Sequence, residues 1–233
     1  MLEKISVRAK ESLVLPFYML VVIWMIQLLQ SVLGLELGWL GIYPREIFGL
    51  RGVILAPLLH GSWGHLLANT PPLFVMSAII LFFYRRVAIP SFIMIYLLTG
   101  LAVWLFGRPV FHIGASGVIY GLVSFLFWNG VFRKNIKSIA IALIVMFYYG
   151  SMFMGILPGQ QGISWESHLI GGIVGIFASF WFKDTIEKDE EKQRYSWEEE
   201  PQEKKFYFDR DLFQAPKAEK QQRNDDYWYS NKS

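Results

Sequence analysis

The chain has 233 residues, 54% of them hydrophobic and only 18% charged, with 19 Phe, 11 Tyr and 9 Trp, a balance that a soluble domain of this size rarely shows. It contains no cysteine, which excludes disulfides, thiolate metal sites and cysteine nucleophiles. The formal net charge of +3 describes neither half: residues 1–183 carry 12 Lys and Arg against 5 Asp and Glu, whereas residues 184–233 carry 10 against 14.

A helix needs roughly 20 apolar residues to cross a bilayer core. After a polar N-terminus (1–12), six stretches meet that demand, at residues 13–35, 66–84, 88–106, 116–132, 136–154 and 164–182, free of Lys and Arg apart from Lys137 at the edge of the fifth. The first is too long for a signal-peptide core and lacks a small-residue cleavage site, so it reads as a mature anchor. Cations flanking membrane spans are retained on the cytoplasmic side. Lys4, Arg8, Lys10, Arg85, Arg86, Arg133, Lys134, Lys137 and Lys183 fall on one face and only Arg45, Arg51 and Arg108 on the other. Both termini are therefore expected in the cytoplasm.

The first outward loop, residues 36–64, is unusually apolar for a solvated connection. It reads as an element lying in the membrane interface, with Trp39 and Tyr43 at headgroup level. From Asp184 onward the chain is charged and low in aliphatics, which predicts disorder. The plain reading of that tail is solubilisation. Its aromatic groups, Phe206-Tyr207-Phe208 and Tyr227-Trp228-Tyr229, are candidate docking elements for a cytoplasmic partner.

Ionisable groups at membrane depth are costly, so each is a functional-site candidate. The four histidines, His60, His65, His112 and His168, all fall toward the outward side. Span four opens with Gly114-Ala115-Ser116-Gly117. Small residues there allow a tight turn that exposes the hydroxyl, and Ser116 at a helix N-terminus lies beside unpaired N–H groups able to steady an oxyanion. His168 shares a helix face with Gly171 and Gly175, and span four offers Gly117 and Gly121. Small residues at such spacings let two membrane helices approach closely, which a base needs in order to reach the hydroxyl it deprotonates. By themselves the same glycines are ordinary packing motifs.

Glu166, two residues before His168, points about 200° away on a helix and cannot orient the imidazole. A Ser116–His168 dyad is therefore expected rather than a triad, with Tyr120, one turn after Ser116, either the ring packed on His168 or a plain interface aromatic. His65 and Asn69 lie four apart on one face and can donate hydrogen bonds to an oxyanion. A metal is the rival use of the histidines, but no carboxylate lies in register, so neither metal nor other cofactor is expected.

Together these residues resemble the rhomboid family of intramembrane serine proteases, over roughly residues 41–181. The resemblance is carried by Gly-Ile-Tyr-Pro-Arg (41–45), the run from Ala56 to His65, Asn69, Gly114-Ala115-Ser116-Gly117, Tyr120, and His168 with Gly171 and Gly175. It implies an all-α membrane protein, a six-helix rhomboid-like bundle (13–183) with an interfacial first loop and a cytoplasmic tail (184–233). It implies Ser116 as nucleophile, His168 as general base, His65 and Asn69 with the Ser116 N–H as oxyanion hole, and His60 as a loop-ordering histidine. The expected partners are the lipid bilayer and transmembrane protein substrates, with no nucleic acid, and the expected location is a bacterial inner membrane. The chain departs from the family pattern at Pro71-Pro72, just after Asn69, and in having Pro44-Arg45 without a Trp-Arg pair. Two other readings are an inactive rhomboid-like binder of transmembrane helices and, behind it, a small transporter using the histidines as a proton relay.

Overall fold

The computed structural model describes residues 2–158, 164–185 and 187; the expectations for the tail lie almost wholly outside them. The described residues form no strand, only one isolated antiparallel bridge between Ile42 and His112. Six long helices follow one another: α1 (Leu2–Leu33), α2 (Trp63–Phe83), α3 (Ala88–Phe106), α4 (Ser116–Arg133), α5 (Ile136–Tyr149) and α6 (Trp165–Phe182). Four segments are long and apolar enough by themselves to cross a membrane: Ile5–Leu33, Trp63–Phe83, Ala88–Phe106 and Ile136–Ile156. Helices α4 and α6 are not among them. These two carry interior glycines and the Ser, Asn, Glu and His side chains of the bundle's centre, which lowers their hydropathy.

Helix α4 is the axis of the bundle, with Ile119, Leu122, Phe125 and Leu126 fully buried. Its tight partner is α6. A Cβ on Gly171 would overlap the Gly117 carbonyl, and one on Gly175 the Gly121 carbonyl, so the two backbones meet with nothing between them. Gly172 by contrast faces open space. Below the glycines the interface turns polar: Ser124 Oγ donates to the Gly172 carbonyl (2.7 Å) and Ser179 Oγ to Asn129 Oδ1 (3.1 Å).

Helix α1 packs on α2, where Trp24 Nε1 donates to Thr70 Oγ1 (3.1 Å). Helix α2 starts at Trp63, with the Ser62 hydroxyl accepting the His65 N–H (3.1 Å) as its cap. It runs through Pro71 and Pro72 without stopping. Asn69 Nδ2 and Thr70 Oγ1 donate back to the His65 and Leu66 carbonyls (2.7 and 2.8 Å) in the turn before the prolines, while the missing proline donors fall one turn on, at the Leu67 and Ala68 carbonyls.

The first loop is built of short turns, Leu37–Leu40, Ile47–Arg51, Gly52–Leu55 and Ala56–Leu58. Arg45, at φ 63°, donates to the Gly107 carbonyl (2.9 Å) at the end of α3. Arg51 lies over the Trp39 ring (4.4 Å to its centroid). Trp39, Ile47, Phe48, Leu50 and Ile54 remain exposed, the amphipathic pattern of a segment with one apolar face outward.

At the opposite end the cations used to orient the chain also satisfy helix ends. Arg8 Nε donates to the Phe82 carbonyl (2.7 Å) and Arg133 to the Phe182 carbonyl (3.0 Å), where the helix dipole favours positive charge. Tyr84, fully buried, donates to Ser138 Oγ (3.0 Å) beneath Arg133 and Lys137. Just past α6, the buried Glu187 carboxylate accepts the Arg86 N–H ahead of α3 (3.1 Å).

Candidate active site

Ser116 is the first residue of α4. The chain reaches it through Gly114, at φ 106°, a conformation that L side chains rarely adopt. A Cβ at Gly114 would also lie 2.6 Å from the His65 ring, and the Gly114 N–H is held by the Ala56 carbonyl (2.8 Å). The glycine therefore does three things at once: it turns the chain, lets His65 lie against it, and fixes the turn to the first loop.

Ser116 Oγ lies 2.8 Å from His168 Nε2. The other ring nitrogen, Nδ1, lies 2.9 Å from the Gly155 carbonyl. A carbonyl oxygen only accepts, so Nδ1 carries the proton and the neutral ring presents its Nε2 lone pair to the serine hydroxyl. Tyr120 stacks on the imidazole, centroids 4.1 Å apart and planes 8° from parallel, and its hydroxyl donates to the Met152 carbonyl (2.6 Å). Both carbonyls belong to one turn, Gly150–Ile156, which continues α5. Gly155 is required there, because a Cβ would overlap the Tyr120 hydroxyl.

Ser116, His168, Tyr120, His65 and Asn69 all line one cavity of about 1090 Å³, together with Ala68, Pro72, Arg108, His112 and Ser164. One Asn69 N–H is spent on the His65 carbonyl, which leaves the second for the cavity. His60 does not line it. It is buried behind His65, the two rings edge to face with centroids 4.9 Å apart, and neither of its ring nitrogens has a hydrogen-bond partner. Burial pushes the His60 pKa down to about 4, the facing His65 adds to that, and the Leu58 backbone opposes it. Glu166 turns away from His168 and is gripped by Arg108 through two nitrogens. The glycines singled out in the sequence divide by role: Gly114 shapes the turn, while Gly117, Gly171 and Gly175 set the approach of α4 and α6.

Two features escape a reading of the sequence. The group that orients His168 is the Gly155 main chain, and a carbonyl has no residue signature; the one trace is a glycine in an aromatic stretch. His112 is visible as the fourth outward histidine, but its ring contacts are set by tertiary structure: Nδ1 is 2.6 Å from Ser164 Oγ and Nε2 is 3.0 Å from the Arg108 carbonyl. Burial lowers its pKa, the Arg108 carbonyl opposing.

This helical bundle, with a serine at one helix start facing a histidine on the next glycine-bound helix, is the architecture of a multi-pass membrane protein built around a Ser–His contact. The Rhomboid domain family profile matches residues 48–184, and the chain belongs to the rhomboid family. It is 39% identical over 171 residues to "Uncharacterized protein Rv1337" of Mycobacterium tuberculosis (strain ATCC 25618 / H37Rv), covering 68% of this chain and 70% of that one. It shows the same identity and coverage with "Uncharacterized protein Mb1372" of Mycobacterium bovis. It is 34% identical over 171 residues to "Uncharacterized protein ML1171" of Mycobacterium leprae, covering 68% and 66%.

Proposed function

We propose that the protein is an intramembrane serine endopeptidase that cuts transmembrane segments of other membrane proteins. The observation that carries this reading is the Ser116 Oγ–His168 Nε2 contact of 2.8 Å with Nδ1 committed to a carbonyl. That arrangement leaves the imidazole one function toward the serine, to take its proton.

In the proposed reaction His168 deprotonates Ser116 as the alkoxide attacks the scissile carbonyl. Donors from the Ser116 N–H, His65 and Asn69 hold the oxyanion, His168 returns its proton to the leaving amine, and water then hydrolyses the acyl-enzyme. Tyr120 keeps the ring in plane, and His60 supports His65 from behind. Water and substrate meet in the cavity, where the polar groups of Ser116, His168, His65 and Asn69 stand among apolar neighbours and can receive non-helical backbone at membrane depth. The substrate helix reaches it beside α5, whose Leu143, Phe147 and Tyr148 are exposed at 65%, 82% and 70%. In this reading all six helices cross a bacterial inner membrane with both termini cytoplasmic, and α4 and α6 do so as the polar interior of the bundle. Residues 184–233 form a solubilising tail with aromatic groups available to a cytoplasmic partner.

The test uses purified protein in lipid with a generic transmembrane substrate and a fluorophosphonate. Cleavage and labelling are expected for the native chain and not for Ser116→Ala, with His168→Ala reduced by about 10³-fold or more. Substrate binding with neither cleavage nor labelling would identify a helix-binding protein and overturn the reading. Solute flux without acylation would identify a transporter.

A further inference from the structure

His112 is 3% exposed, takes no part in the reaction above, and ties together three pieces of chain. Its main chain pairs in both directions with Ile42 of the first loop, at 2.9 and 3.0 Å. Its ring bridges the loop ahead of Ser116 to the start of α6. The Arg108 carbonyl at 3.0 Å only accepts, so Nε2 carries the ring proton. Nδ1 then accepts from Ser164 Oγ at 2.6 Å, and Ser164 Oγ in turn accepts from Ser167 Oγ at 2.6 Å. All these hydrogen bonds run in one consistent direction from Ser167 to Arg108.

The two ends of this chain of bonds lie at the two halves of the site. The Ser164 carbonyl accepts the His168 N–H (3.3 Å), so it anchors the turn that carries the base. Ser167 packs directly on Gly117, the residue after the nucleophile, where an added Cβ would stand 3.2 Å from the Ser167 carbonyl. Arg108 and Glu166 form a second strap between the same two segments, buried at its Glu166 end (7% exposed) and open to solvent at its Arg108 end (55%), whereas both ring bonds of His112 are made by a residue that is itself buried. The buried strap is the His112 ring.

We propose that His112 is a positioning residue for the Ser116–His168 pair: through Ser164 it fixes the first turn of α6 against the nucleophile loop and so sets the reach of the imidazole to the hydroxyl. The inference rests on the hydrolase reading given above. Small misplacements of a reacting group cost rate far more than binding, so the effect falls on turnover and on the intrinsic reactivity of Ser116.

The experiment compares the native full-length chain with His112→Phe, which keeps the ring's bulk without its bonds, His112→Gln, which keeps a donor and an acceptor, and Ser164→Ala. Fluorophosphonate labelling rates, kcat and KM for a transmembrane substrate, and thermal stability are measured on each. His112→Phe and Ser164→Ala are expected to slow labelling and kcat by about 10- to 100-fold with KM little changed. His112→Gln should recover most of that loss, and the His112→Phe, Ser164→Ala double variant should lose no more than His112→Phe alone. A folded His112→Phe protein that labels at the native rate, or one whose loss lies in KM alone, overturns the proposal. If His112→Phe does not fold, Ser164→Ala decides by the same readouts. A native chain as inert as Ser116→Ala overturns the hydrolase reading, and this inference falls with it.

Discussion

The Ser116–His168 contact is made by an imidazole whose second nitrogen is held by main chain rather than by a carboxylate. A carbonyl fixes the tautomer but offers little charge to an imidazolium, so orientation falls to packing, and Gly155 and Tyr120 become the sensitive positions. Gly155→Ala would drive a methyl into the Tyr120 hydroxyl and is expected to lower turnover by about tenfold or more, read as kcat with fluorophosphonate labelling in parallel. Tyr120→Phe keeps the stack and loses one hydrogen bond to Met152, worth about 1 kcal/mol; thermal unfolding should show a correspondingly small decrease.

His60 gives a pH dependence with a definite sign. Its folded pKa of about 4 lies below its ordinary 6.5, so between those values the unfolded chain binds more protons than the folded one. Stability is then complete above pH 6.5 and falls as pH drops from 6.5 toward 4, by roughly 3 kcal/mol at most. His60→Gln should flatten that slope in unfolding measured across this range; an unchanged slope would assign it to other groups.

Among elements, the α4–α6 pair makes the sharpest distinction between glycines that look alike in the sequence. Gly171, Gly172 and Gly175 stand together, but only the first and third meet α4 backbone. Gly171→Ala is expected to destabilise by about 1–3 kcal/mol through overpacking, whereas Gly172→Ala should be neutral or slightly stabilising. Thermal unfolding in one detergent distinguishes them, and equal losses would refute the interlock. The α5 element carries a different expectation. Because Gly150–Ile156 supplies both the Gly155 and Met152 carbonyls, outward movement of α5 would loosen His168 and Tyr120 together. A cysteine bridge between α2 and α5 should abolish cleavage of a membrane substrate; undiminished cleavage would place substrate access elsewhere.

For the whole molecule, charge and hydropathy divide the labour. Cations gather at one end of the bundle, where Arg8 and Arg133 bind helix C-termini, and the histidines gather at the other. The natural chain has no cysteine, so single substitutions report topology without background. Gly38→Cys and Gly61→Cys should react with an impermeant maleimide in intact spheroplasts, and Lys10→Cys and Arg85→Cys only after lysis. The reverse pattern would invert the proposed orientation.

What the sequence by itself determined was periodicity, composition and the chemical identity of rare groups. Apolar runs bounded by cations marked the helices, and a serine framed by glycine and alanine, with a histidine framed by glycines, marked the two halves of the site, because polar residues inside such runs are costly enough to stand out. Pro71 and Pro72 show the limit of that signal: they stand out as a departure from the family pattern inside the run 66–84, yet α2 passes through them without stopping. Only the tertiary structure decided the partners. That the Gly155 carbonyl holds His168, that Gly114 leaves room for the His65 ring, and that His112 reaches Ser164 across 52 positions of chain depend on distances between segments that no local pattern encodes. Backbone carbonyls and helix-to-helix gaps have no letter in the sequence; they exist only once α4, α6 and the loops between them have packed.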